Sequence, residues 1–111
     1  MSDEPQNHVV LSGRVSGEPA TTVLPSGDEI VTFRLVVDRP DRARRTSRQT
    51  VDVFDCTAWT ARLRRQASRL VSGDEVEVTG ALRRRFHRTG SGTRSFVGVE
   101  LATCVRRRTG Q

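Results

Sequence analysis

The chain has 111 residues, enough for one domain, and its nineteen cationic side chains, all arginine, outweigh thirteen carboxylates to leave a formal net charge of +6. Without a lysine there is no phosphate-loop or Schiff-base residue, and no apolar run approaches the roughly 18 residues that cross a bilayer. The apolar fraction of 34% and only five Phe and Trp side chains imply a thin core for a lone protomer, so self-association is expected.

Residues 1–7 are a short polar arm with Asp3 and Glu4 and no apolar stretch of the kind a secretory signal needs, which points to a cytoplasmic protein. His8 to Val15 is β-branched and apolar-rich and predicts a first strand that ends at Gly17. Residues 18–29 read as looser chain containing a turn at Pro25-Ser26-Gly27-Asp28. In Val31 to Val37 the residues Val31, Phe33, Leu35 and Val37 alternate on one face while Thr32 and Arg34 point the other way, the pattern of a half-buried antiparallel strand.

Residues 39–49 lose the apolar signal and carry Arg39, Arg42, Arg44, Arg45 and Arg48, as an exposed, mobile loop does. From Thr50 to Ala58 apolar groups fall on both parities, which predicts a third strand covered on each side and leaves Phe54 unassigned to a face. Trp59 precedes a helical pattern in which Leu63, Ala67, Leu70 and Val71 share a stripe, with Thr60 as N-cap and Gly73 after the end. Glu75 to Leu82 alternates with Val76, Val78 and Leu82 inward, and Arg83 to Arg88 extends it into a basic arm whose Phe86 is expected to pack inward. After a hairpin tip at Thr89 to Thr93, Ser95 to Val105 returns as the fifth strand. Residues 106–111 form a basic end.

Three strands, one helix and two strands fit an all-β domain over residues 8–105, a five-stranded Greek-key barrel of the OB type with the helix between strands three and four. A small α+β sandwich has the same order; the basic loops favour the barrel, because in it the second and fourth loops flank a face that holds single-stranded ligand. An isoelectric point near 11.3 carried by guanidinium suits a polyanion with both phosphates and π-faces. The candidate contacts are Arg34, Arg39, Arg42, Arg44, Arg45, Arg48, Arg83, Arg84, Arg85 and Arg88, with Trp59, Phe54 and His87 to stack bases. Trp59 has a second reading, as a hydrophobic staple at the helix start, and the helix arginines at 62 to 69 read equally well as a solvated face.

Catalysis and metal binding find little support. The alternating carboxylates Asp52, Asp55, Asp74, Glu75 and Glu77 read as outward acids on strands, and no nucleophile elbow, triad or metal-spaced histidine pair is present. Cys56 and Cys104 lack metal or disulfide spacing and read as reduced core side chains. No cofactor, metal or enzymatic activity is expected.

His8 to Val15 followed by Gly17-Glu18-Pro19 resembles the opening of bacterial single-stranded DNA-binding proteins. Pro25-Ser26-Gly27, Val31 to Leu35, Val53 to Trp59 running into the helix, Ser72 to Leu82 and Arg83 to Gly92 match that family in the same order, so the resemblance covers roughly residues 7–105. It implies an OB fold, non-catalytic binding of single-stranded DNA in replication, repair or recombination with little sequence preference, and a homo-oligomer, a tetramer ahead of a dimer. By the same resemblance Trp59 and His87 fall where the family has aromatics on the DNA path. Val53 stands where it commonly has tryptophan, and Pro40-Asp41 replaces another tryptophan neighbourhood. The family's acidic tip, which recruits repair and replication enzymes, has no counterpart in this sequence. An RNA-binding OB module and a protein-interaction OB domain are the competing expectations.

Overall fold

Period-two alternation builds five strands, β1 (Val9–Val23), β2 (Glu29–Asp38), β3 (Val51–Ala58), β4 (Glu75–Thr89) and β5 (Gly92–Arg108), and one helix, α1 (Ala61–Ser68), stands between β3 and β4. The computed structural model describes residues 4–41 and 48–110. The strands close into a barrel in the order β1-β2-β3-β5-β4, antiparallel throughout except where β5 meets β3 in parallel at Cys56↔Val99 and Thr57↔Glu100. This is the OB-type barrel that the element order predicts.

Inside, Val15, Val31, Phe33, Leu35, Cys56, Ala58, Val76, Val78, Val99 and Leu101 form one core, capped at one end by Leu63, Ala67 and Leu70 of the helix and its exit. The predicted inward face of β2 is the one buried, with Val37 half-buried at its rim. Helix α1 begins where Thr60 accepts the backbone N–H of Leu63 at 3.2 Å, the expected N-cap. Cys56 and Cys104 are free and buried, and desolvation pushes their thiols up to about 12 and about 11 respectively.

Five expectations are corrected. β1 does not stop at Gly17: its register against β2 shifts between Ser16 and Ala20, and Gly17, at φ 77°, absorbs the kink while the strand runs on to Val23. β3 is covered on both sides only near its end, at Cys56, Thr57 and Ala58; Val53 is 51% exposed, because only one parity of a barrel strand faces the interior. Val71 lies past the end of α1 and is exposed.

Leu82 and Phe86 are not inward either, at 42% and 67% exposed. β1 pairs with β4 only from Glu75 to Gly80, so beyond Gly80 the β4–β5 hairpin leaves the barrel wall and its inner parity faces water. Gly80 itself sits where the β4–β5 register shifts, and a Cβ there would collide with the backbone carbonyl of Glu100. The strands come this close only because the residue has no side chain.

The turn after α1 is tied to the end of β5 by one carboxylate. Contrary to the expectation of an outward acid on a strand, Asp74 precedes β4, is fully buried and accepts the backbone N–H of Val71 at 2.9 Å and of Gly110 at 2.6 Å, with the Arg106 guanidinium 3.7 Å away. These two N–H groups and then Arg106 hold its pKa below the ordinary carboxylate value, against the opposing effect of burial. The lowered folded-state value means that Asp74 stabilises the fold fully above the unfolded-state pKa of about 3.9, and that this contribution is lost as pH falls through the folded-state value. Asp74→Ala is expected to cost about 2 kcal/mol in urea unfolding at pH 7, with the gap to the parent protein closing as the pH is lowered through the acid range. A gap that is constant with pH would contradict this role.

Candidate nucleic-acid interface

Barrel closure gives each strand an outer parity, and the outer faces of β2, β3, β5 and β4 lie side by side. The β2–β3 register sets Thr32 against Thr57 and Arg34 against Asp55. The parallel β3–β5 step sets Thr57 beside Glu100, and the β4–β5 register sets Arg83 against Gly98, Arg85 against Phe96 and His87 against Arg94. On this face lies an open trough of about 290 Å³, with Thr32, Asp55, Thr57, Gly98 and Glu100 on its floor and Arg83, Arg85 and Phe96 along the hairpin side. An open depression of this size has no deep apolar enclosure for a small molecule; it suits an extended chain lying across strands.

The trough lining sets Arg83 and Arg85 against Asp55 and Glu100, and Arg34 and Arg94 add positive charge on the same outer face. Arg83 donates to Glu100 at 2.9 Å and so neutralises that carboxylate. Arg34, Arg85 and Arg94 are exposed and make no ion pair among the described residues. Phe96 is 52% exposed and is the aromatic ring that lines the depression.

The sequence-derived candidates separate into groups. Arg34, Arg83 and Arg85 share the trough face. Arg84 and Arg88 lie on the other face of the hairpin, where Arg84 donates to Ser95 Oγ at 3.1 Å. Arg39 is half-buried and donates through Nε and Nη2 to Asp52 Oδ1 at 3.1 and 2.7 Å; the hydrogen bond to Asp52 raises its pKa above the ordinary value. It holds the start of the loop to β3. Arg48 is exposed at the loop's far end. Arg42, Arg44, Arg45 and the His87 side chain lie outside the described residues.

Of the aromatic candidates, Phe54 pairs in register with Leu35 and packs against the core, so its ring faces the barrel interior. Trp59 follows β3 on the outer parity, half-buried; its indole N–H is buried without a hydrogen-bond partner, and it does not line the trough. Trough residues that sequence reasoning did not assign to the site include Thr32, Asp55, Thr57, Phe96, Gly98 and Glu100, and Arg94 joins them on the same face. The alternation Phe96, Gly98, Glu100 on β5 carried a signal for three trough residues, but their side of the sheet became legible only from the pairing with β4 and β3.

The model of the single-strand binding protein family matches residues 6–103. The single-stranded DNA-binding protein of Halalkalibacterium halodurans is 30% identical over 99 residues, 89% of this chain and 58% of the relative. Single-stranded DNA-binding protein A of Bacillus subtilis is 32% identical over 89% of this chain and 57% of its own length. The chain therefore spans a little under three fifths of these relatives. Among solved structures, the Plasmodium falciparum SSB complex with ssDNA superimposes with a TM-score of 0.76 at 25% identity, over 91% of this chain and 90% of that one.

Proposed function

The chain belongs to the single-strand binding protein family, and from that premise we propose that it binds single-stranded DNA along the trough, without catalysis and with affinity drawn mainly from arginine–phosphate pairing. The observation that carries this reading is the convergence of unpaired Arg34, Arg85 and Arg94 with the Phe96 ring on one outer face. A phosphate backbone running across β2, β3 and β5 meets cations on both flanks, and a base turned toward β5 meets a π-face. The fold of a structural relative described as an ssDNA complex supports the same direction. The biological setting proposed is coating of exposed strands in replication, repair or recombination, in the cytoplasm where that DNA is held; no helix among the described residues is long and apolar enough to cross a membrane.

The salt dependence of binding tests which arginines meet phosphate. Arg85→Ala is expected to weaken binding of an oligo-dT and to flatten the slope of log affinity against log salt by about 0.7. Arg39→Ala, which removes a guanidinium already held by Asp52, is expected to leave that slope unchanged. Equal slopes for Arg85→Ala and the parent chain would move the DNA path off the trough.

The protein is further proposed to act as a homo-oligomer, a tetramer ahead of a dimer. The hairpin face turned away from the trough supports this: Leu82, Phe86 and Val97 are 42%, 67% and 43% exposed and share one parity of β4 and β5. An apolar strip of this kind on a small, thinly cored protomer is normally covered by another surface. Sedimentation equilibrium of Phe86→Glu is expected to show a smaller species than the parent chain; a parent chain that sediments as a monomer at micromolar concentration would contradict the assembly.

A further inference from the structure

Asp55 is an odd residue to find on the floor of a groove for a polyanion. Asp55 lines the trough, and no hydrogen bond or ion pair engages its carboxylate among the described residues. Arg34 stands opposite it in the β2–β3 register yet makes no ion pair with it. The other carboxylate on the floor, Glu100, is already neutralised by Arg83. Asp55 is thus the one bare negative charge described in the trough, and it repels phosphate from the place it occupies.

The floor beside it is open. Gly98 lies next to Asp55 across the parallel β3–β5 step, and a Cβ at that position would stand 3.0 Å from the Asp55 carbonyl oxygen. With no side chain there, a flat group resting near Phe96, two residues along the same face of β5, can bring its edge down to the Asp55 carboxylate and the Thr57 hydroxyl. An ionised carboxylate accepts hydrogen bonds and donates none. Of the groups on a nucleic acid, phosphates offer it nothing, and the exocyclic amino groups of cytosine and adenine offer donors. Thymine and uracil present a carbonyl oxygen where cytosine has its amino group, and that oxygen faces the carboxylate unfavourably.

Resting on the single-strand reading above, we propose that Asp55 sets a base preference: the nucleotide over Gly98 is selected for an amino-bearing edge, cytosine or adenine over thymine or uracil. The arginines supply affinity that is blind to sequence, and Asp55 imposes discrimination at one position on the path. Thr57, two residues along the same face of β3, also lines the trough, and its hydroxyl is placed to serve the adjoining ring nitrogen or carbonyl of the same base.

The test is fluorescence anisotropy of the full chain with end-labelled oligomers of deoxycytidine and deoxyuridine of equal length. These bases carry the same ring and differ in the amino or carbonyl group at C4 and in the proton on N3. The parent protein is expected to bind the deoxycytidine oligomer at least about fivefold more tightly. Asp55→Asn, which presents a donor as well as an acceptor, and Asp55→Ala, which presents neither, are both expected to bring the two affinities within about twofold, chiefly by tightening deoxyuridine binding. Equal affinities in the parent protein, or variants that tighten both oligomers by one common factor, would overturn the base preference and leave only general repulsion. Failure of the parent protein to bind either oligomer would instead overturn the single-strand reading itself.

Discussion

The parallel contact between β5 and β3 is the constraint on which the rest depends. Two register positions, Cys56↔Val99 and Thr57↔Glu100, turn an antiparallel meander into a closed wall. Closure assigns every residue on β2, β3 and β5 to the interior or to the outside, since a strand's side chains alternate and a barrel has only one inside. Cys56 and Val99 go in and join the core; Thr57 and Glu100 go out and become trough floor. The same two pairs therefore hold the fold together and create the surface that a ligand meets.

Stability and function are consequently divided by parity more than by region. The core is small and aliphatic, with Phe33 as its fully buried aromatic ring, and it leans on the helix cap and on Asp74 to keep the barrel's end sealed. Several exposed arginines are held in place by carboxylates: Arg14 with Asp38, Arg83 with Glu100, Arg107 with Glu77 and Arg108 with Glu75. Those exposed pairs contribute little to stability individually. Their larger effect is to neutralise charge locally, while Arg34, Arg85 and Arg94 stay uncompensated on the trough face.

Much of this was legible in the chain because strands and helix announce themselves by period. Val31, Phe33 and Leu35 at period two, and Leu63, Ala67 and Leu70 at helical spacing, are buried as their patterns require. Gly17-Glu18-Pro19 misled because it has the composition of a strand terminus, whereas a bulge uses the same residue types to bend a strand without ending it. Phe86 has the inner parity that alternation predicts but not the buried environment. Parity says which way a side chain points, but only the extent of β1 along β4 says whether anything covers it, and that cover ends at Gly80. The trough floor was the least legible part. Alternation gives Thr32 and Gly98 a parity but no partner, and Thr32, Asp55, Thr57 and Gly98 become neighbours only through pairings between residues more than twenty positions apart.

The account stands or falls on the outer face of β2, β3, β5 and β4 being the surface that single-stranded DNA occupies. Amide chemical-shift mapping of the isotope-labelled chain titrated with an oligo-dT addresses this directly. The account predicts shifts concentrated at Thr32, Arg34, Asp55, Thr57, Arg83, Arg85, Phe96 and Gly98, with α1 and the outer side of β1 unmoved. Shifts centred on α1, with the trough residues silent, would contradict it.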